Sequence, residues 1–101
     1  MRMLVFFDLP TTTAAERRAY VLFRRHLIKS GFIMMQESVY CKLLLNTSAA
    51  QLEAENIRKH RPEKGIVQLL TITEKQFSEI EYITGEFYSE VISTDERMVI
   101  L

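Results

Sequence analysis

The chain has 101 residues, of which 48% are hydrophobic, and its 13 basic residues balance its 13 acidic residues. This length fits one small domain, and the single cysteine, Cys41, excludes an internal disulfide. No secretory signal pattern stands at the N-terminus and no apolar run reaches the length of a membrane span, so we expect a soluble, cytoplasmic protein.

The first strand and the first helix have clear sequence signals. Residues 2–7 form a continuous apolar run, a pattern typical of a central strand that is covered on both faces. Thr13 and Glu16 have the spacing of a capping box, which predicts a helix that runs to about Ser30. Gly31 then offers a C-terminal stop.

The middle of the chain predicts two strands and a second helix. The strands cover residues 32–35 and 39–45, with residues 36–38 as a short connection. Ser48 and Gln51 have capping-box spacing and predict a helix that ends near His60, before Pro62.

The last part of the chain predicts a strand over residues 65–73 and a short helical turn that Thr73 and Gln76 open as a third capping box. Residues 81–84 and 98–101 are short strand candidates. We divide the chain into one domain, residues 1–78, and an acidic C-terminal segment, residues 79–101, which packs on a dimer or docks a partner protein.

The element order β-α-β-β-α-β predicts an α+β, ferredoxin-like sandwich, with an antiparallel sheet, two helices on one face and a short C-terminal strand extension. The other face needs a cover, because residues 3–7 and 66–70 are apolar on both sides. A second copy of the sheet would supply it, and we therefore expect a homodimer. Alternatively, the C-terminal segment folds back over this face.

Charge is distributed unevenly along the chain. Residues 1–61 hold ten Lys or Arg and five Asp or Glu, whereas residues 62–101 hold three and eight. Chance and solvated helix faces are one explanation. The other is a basic surface for phosphates and an acidic tail with a different task.

Asp8 stands at the end of the first apolar run. An aspartate before a turn that contains proline often accepts local backbone N–H groups. One carboxylate is too few for a hard divalent cation, but a two-fold axis near Asp8 would bring two carboxylates together. Such a pair either shares a proton or holds a cation, and Asp8 is therefore a candidate metal ligand.

The first helix carries five cations within roughly 140° of arc at 100° per residue. They are Arg17, Arg18, Arg24, Arg25 and Lys29. A solvated face is the ordinary interpretation. However, Glu16 is the only acid in the helix, so these cations are not neutralised by pairing along the helix. Paired arginines suit successive phosphates, and this face is the candidate nucleic-acid surface.

Other kinds of site find little support. His26 and His60 have no ligand-like spacing with Cys41, which we assign to the core, and three glycines make no phosphate-binding loop. Residues 58–61 form a weaker basic patch, for which a favourable interaction with the dipole at the end of a helix is the better explanation.

Several segments together resemble a known family. These are "VFFDLP", "ERRAY", "FRRHLIKSGF" and "MMQESVY". In order they give an apolar strand that ends in Asp8, an arginine-led helix, Gly31 before the second strand, and a Gln-x-Ser-Val element. The sequence resembles the small CRISPR-associated adaptation proteins, which are the smaller partners of the CRISPR integrase. The match covers about residues 1–72, and the tail and length look closest to members from type II loci.

The resemblance implies a ferredoxin-like homodimer with a Mg²⁺ site, or a Mn²⁺ site, made by Asp8 of both copies. It implies a bridge between integrase dimers that holds the spacer duplex by its backbone, a role that need not be catalytic. It also implies a metal-dependent endonuclease activity of some members on RNA or double-stranded DNA, for which Asp8 of both copies would be the catalytic residue. A third hypothesis, an unrelated RNA-recognition module, lacks the required aromatic strand motif.

Overall fold

Seven secondary-structure elements follow one another within residues 1–86, which are the residues that the computed structural model describes. They are β1 Arg2–Asp8, α1 Ala14–Lys29, β2 Ile33–Gln36, β3 Val39–Leu43, α2 Thr47–Lys59, β4 Ile66–Ile72 and α3 Glu74–Ser78. The order is the predicted β-α-β-β-α-β order with the predicted helical turn after it.

The four strands form one antiparallel sheet in the order β2-β3-β1-β4. Strand β1 therefore lies inside the sheet, between β3 and β4, while β4 is an edge strand of the sheet in residues 1–86. This position explains why β1 is apolar from Met3 to Phe7. The predicted α+β, ferredoxin-like fold is confirmed.

The two long helices cover one face of the sheet. Met3, Val5 and Phe7 alternate along β1 toward this face and are buried with Phe23 and Leu27 of α1. The ring of Phe7 packs edge-on against that of Phe23, with the two centroids 5.3 Å apart. We call the opposite side of the sheet the open face.

The open face is partly covered by the chain itself. Arg2 lies on this side, where its guanidinium pairs with both carboxylate oxygens of Glu74 and stacks 4.1 Å from the ring centroid of Phe77. These contacts dock α3, and residues 80–84 then border a groove with Leu4 and Phe6. The alternative interpretation, that the segment after the last strand folds back, thus holds for part of the face.

Two of the three predicted capping boxes are confirmed. Thr13 with Glu16 and Thr73 with Gln76 each make both reciprocal hydrogen bonds. The box predicted at residues 48–51 is wrong, because the helix begins earlier: the Asn46 side chain accepts the Ala49 N–H and caps α2. Asparagine is as good an N-cap as serine, so the earlier start satisfies a donor at no cost.

Several predicted strand bounds move. β1 extends to include Asp8, β2 begins one residue later than predicted, and β3 ends at Leu43. Residues 81–84 are not a strand, because they pass beside the open face without pairing to any strand edge in residues 1–86. The strand candidate at residues 98–101 lies outside the described residues.

Candidate metal and nucleic-acid site

Asp8 is the last residue of β1 and lies on the open face. It is opposite Ile66 of β4 in the strand register, and Phe6 lies next to it on the same face, opposite Gln68. Ile66 is 57% exposed and Leu70 is 49% exposed. Asp8 therefore stands at the rim of an apolar surface.

The Asp8 carboxylate has no hydrogen bond or ion pair to any residue in 1–86. The expected alternative, an aspartate that accepts local backbone N–H groups, is thus not what the structure has. An exposed carboxylate without protein donors keeps all its oxygen lone pairs for an external ligand.

The donor set can be compared with what a divalent cation requires. No group of three or more His, Cys, Asp or Glu in the described part of the chain could hold a metal ion. One chain thus offers a single carboxylate. Mg²⁺ keeps several waters and is often bound through only one or two carboxylates, so Asp8 from two copies around a two-fold axis is a donor set that fits it.

The cations of α1 lie on its outer face. The side chains of the five, Arg17, Arg18, Arg24, Arg25 and Lys29, are all exposed. None has an ion-pair partner within residues 1–86. The opposite stripe of the helix, including Phe23 and Leu27, is buried as expected from its spacing.

Arg17 differs from the other four cations. Its Nη1 donates hydrogen bonds to the carbonyl oxygens of Thr11 at 3.2 Å and Thr12 at 2.9 Å. Part of this guanidinium therefore stabilises the turn that connects β1 to α1, and only its remaining donors are available to a ligand. The basic face also exposes apolar side chains, since Val21 and Ile28 are each 47% exposed.

The structure does not bring Asp8 and the helix cations into one cluster. Asp8 lies on the open face, whereas α1 packs against the other face of the sheet. Within one chain they are two separate surfaces, joined only by the turn of residues 9–13.

A partly buried ionic network lies between the sheet and α2. Lys42 donates to Glu53 and to the Ser30 carbonyl oxygen, both at 2.6 Å, and Asn56 donates to the other Glu53 oxygen at 2.9 Å. Burial raises the pKa of Glu53, but the hydrogen bonds from Lys42 and Asn56 outweigh it and hold the pKa below its usual value. This network fixes α2 on the sheet.

Sequence reasoning missed this network and a histidine pair. The rings of His26 and His60 stack although the two residues are distant along the chain. His26 lies in the last turn of α1 and His60 is the C-cap of α2, and neither position carries a local sequence signal of this contact.

Cys41 is fully buried, as expected, but on the open face rather than among the core residues under the helices. Burial raises the pKa of its thiol, and nearby Arg2 opposes this only in part. The thiol is therefore protonated near neutral pH and is not a nucleophile. At residues 58–61, Arg61 donates to the Arg58 carbonyl oxygen at the end of α2, which agrees with the helix-end interpretation.

Comparison with known proteins identifies the family. The model of the family "CRISPR associated protein Cas2" matches residues 1–80. The chain belongs to the Cas2 family. This confirms the resemblance drawn from Asp8, the arginine-led helix and the Gln-x-Ser-Val element.

Curated relatives of this Cas2-family chain are similar over its whole length. A protein of Treponema denticola is 50% identical over 101 residues, with 100% of both chains covered. A protein of Streptococcus mutans is 48% identical, and the alignment covers 100% of this chain and 93% of that protein. A protein of Ligilactobacillus salivarius is 42% identical, and the alignment covers 100% of both chains. Each is named "CRISPR-associated endoribonuclease Cas2".

The helices of this Cas2-family chain do not meet the requirements of a membrane span. No helix in residues 1–86 has both the length and the apolar character that crossing a bilayer requires.

Proposed function

We propose that this chain is the spacer-acquisition subunit of a CRISPR system. In this role a homodimer bridges integrase dimers and binds the spacer duplex by its phosphates. The integrase performs the covalent chemistry, and the homodimer supplies position and backbone contacts. Family membership supports a role in CRISPR immunity, and the surface of α1 supports the contact with nucleic acid.

The observation that carries the proposal is the outer face of α1. Five exposed cations lie there without a single ion pair to residues 1–86. Contacts to phosphates position a protein on a duplex without reading bases. Arg18, Arg25 and Lys29 have no hydrogen bond to residues 1–86 that would compete with such contacts. Arg24 lies near the Tyr40 hydroxyl, and Arg17 contributes the donors that the turn does not use.

The dimer is supported by the open face. Leu70 and Ile66 of the edge strand remain about half exposed after α3 and residues 80–84 have docked. Apolar side chains on an edge strand favour association, and a second copy is the simplest partner. Packing of two open faces about a two-fold axis would set the two Asp8 carboxylates in the same interface.

The first experiment measures binding of a spacer duplex by the assembled integrase complex as salt concentration is varied. Arg18→Glu/Arg25→Glu should weaken binding equally for unrelated sequences and reduce the log–log salt slope by about 0.9 for each phosphate that the variant no longer neutralises. Lys75→Glu is the matched control for each single substitution, Arg18→Glu or Arg25→Glu, since it changes net charge equally and lies on α3. An α1 variant that behaves like this control would refute the phosphate-binding role.

A second candidate function is a metal-dependent endonuclease that acts on RNA or double-stranded DNA. It is favoured by the names of the relatives and by the Asp8 carboxylate, which has no hydrogen bond or ion pair within residues 1–86. Asp8 from both copies would hold Mg²⁺ or Mn²⁺, which when bound supplies an activated water and charge neutralisation at a phosphate. The chain's own part is to present the two carboxylates and to hold the substrate backbone.

Asp8→Asn separates the two functions, because it keeps the side-chain shape and removes the charge. The bridge role predicts that spacer acquisition in cells continues while cleavage of RNA and duplex DNA in vitro disappears. Loss of acquisition together with cleavage, in a variant that still dimerises, would instead make the nuclease the physiological function.

A further inference from the structure

The backbone of Asp8 is in close contact with Gly65. Gly65 has a φ of +93°, and a β-carbon at this position would lie 2.6 Å from the Asp8 carbonyl oxygen. It would also lie 2.8 Å from Cδ2 and 3.0 Å from Cα of Leu9. Since ordinary contacts of a β-carbon begin near 3.4 Å, any other residue at 65 would force the start of β4 and the backbone at Asp8 and Leu9 to move apart.

At Asp8 itself the strand pairing comes from β4, while on the other side of β1 the neighbouring Phe7 N–H donates to the Ser38 carbonyl oxygen at 3.1 Å. The pairing of β1 with β3 ends at Phe6, which is opposite Val39. The pairing with β4 continues for two more residues and sets Asp8 opposite Ile66, the residue after Gly65. Displacement at Gly65 therefore acts on β4, the strand that pairs with Asp8 itself.

The Asp8 side chain has no other restraint within the described residues. Its carboxylate forms no hydrogen bond or ion pair there, so its position follows that of its own Cα. Relief of this contact requires the separation to grow from 2.6 Å to 3.4 Å, about 0.8 Å, and the part of it that the Asp8 backbone takes up moves the carboxylate as well. Metal and catalytic groups require placement within about 0.5 Å.

We propose that Gly65 is a positioning residue for Asp8: the missing side chain lets β4 begin against the Asp8 backbone and sets the carboxylate where two copies can share a cation. This inference rests on the proposed metal role of Asp8. In a two-fold dimer each copy would carry the same displacement, so the two carboxylates would both move relative to the shared ion.

The test is Mn²⁺ binding by the purified full-length protein, measured by calorimetry and by electron paramagnetic resonance, for Gly65→Ala and its controls. We expect Gly65→Ala to bind Mn²⁺ at least tenfold more weakly than the parent while it remains folded and dimeric. A second readout is cleavage at rising Mn²⁺ concentration: the concentration for half-maximal rate should rise, and saturating metal should restore kcat. A purely structural defect would lower kcat at all metal concentrations.

Gly85→Ala is the matched control. Gly85 has a φ of +86°, which penalises alanine as at Gly65, but a β-carbon there would meet no atom within 4 Å. This variant should bind Mn²⁺ like the parent. Equal weakening in Gly65→Ala and Gly85→Ala would mean that backbone strain, and not the contact with Asp8, causes the defect, and would overturn the proposal.

Gly65→Asn is a second variant for the same test, because asparagine tolerates a left-handed backbone better than alanine does and also has a β-carbon. It should also bind Mn²⁺ weakly. If neither variant folds while Gly85→Ala does, Gly65 serves the fold and the positioning role is refuted.

Asp8→Ala distinguishes this inference from the proposed site itself. Equal Mn²⁺ binding by the parent and Asp8→Ala would refute the metal site, and the positioning role with it. Tight binding by the parent, none in Asp8→Ala and undiminished binding in Gly65→Ala would refute the positioning role alone.

Discussion

The imidazole rings of His26 and His60 stack with their centroids 3.8 Å apart and their planes 20° apart. His26 lies in the last turn of α1 and His60 caps α2, so the stack joins the ends of the two helices. His60 Nδ1 donates to the Asn56 carbonyl oxygen, whereas the buried Nε2 of His26 has no hydrogen-bond partner in residues 1–86.

We expect this pair to make stability depend on pH. Burial, and then the charge of His60, lower the pKa of His26 from its usual value near 6.5, while Glu53 and Asn56 oppose this in part. The unfolded chain therefore binds the proton more readily than the folded chain. The free energy of unfolding should be constant above about pH 7 and should fall as pH drops below about 6.5.

Urea unfolding between pH 8 and pH 5.5 checks this expectation. His26→Phe keeps a stacked ring without a titrating group, so its stability should change much less over that range. Glu53 titrates in a separate window, because its lowered pKa leaves its contribution intact until the pH falls below about 4.5. Parallel pH curves for the parent and His26→Phe would contradict the assignment.

Glu53→Gln should lower the free energy of unfolding by about 2 kcal/mol, because it leaves the Lys42 ammonium partly buried without its counter-charge. The Glu53 side chain is only 11% exposed. Glu55→Gln is the matched control on the same helix, since Glu55 is 57% exposed and its pair with Arg58 is worth about 0.5 kcal/mol or less. Thermal and chemical unfolding should separate the two variants clearly; similar destabilisation would show that the network adds little.

Tyr40→Phe should raise the free energy of unfolding by about 1 kcal/mol. Tyr40 is fully buried, and its hydroxyl has no hydrogen-bond partner in the described range. Burial raises the pKa of this hydroxyl, which nearby Arg24 opposes, so the group is a neutral phenol at neutral pH. Removing it deletes an unsatisfied polar atom and keeps the ring contact with Phe7. A destabilised Tyr40→Phe protein would indicate that the hydroxyl has a partner in solution.

Leu70→Lys should dissociate the proposed homodimer, because it places a charge in the apolar part of the open face. Leu52→Lys is the control, since Leu52 is 75% exposed on α2 and lies outside that face. Sedimentation at micromolar concentration should give a monomer for the first variant and a dimer for the second. A parent chain that is already monomeric would remove the basis for a shared Asp8 site.

Local signals in the sequence predicted much of the fold and part of the site. Thr13 with Glu16 and Thr73 with Gln76 are capping patterns that depend on neighbours three residues apart, and both helices begin where these pairs predict. The box at residues 48–51 failed because Asn46, an equally good cap, stands two residues earlier.

Contacts between distant residues could not be derived in this way. The pair of Arg2 with Glu74 spans 72 residues, and it decides how much of the open face the chain covers itself. The side of the sheet on which Asp8 lies depends on strand register, which a single strand sequence does not fix. The close approach of Gly65 to Asp8 follows from the same register, and no local pattern in the sequence indicates it.

The central position of β1 also determines how the chain must fold during its own synthesis. β1 leaves the ribosome first, but both its partners, β3 and β4, are translated later, and β4 ends only at Ile72. A nascent chain shorter than this exposes the apolar residues 3–7 without a complete sheet around them. The topology therefore favours late, cooperative folding of the whole domain, and a ribosome stalled before β4 would release an aggregation-prone fragment and not a smaller stable unit.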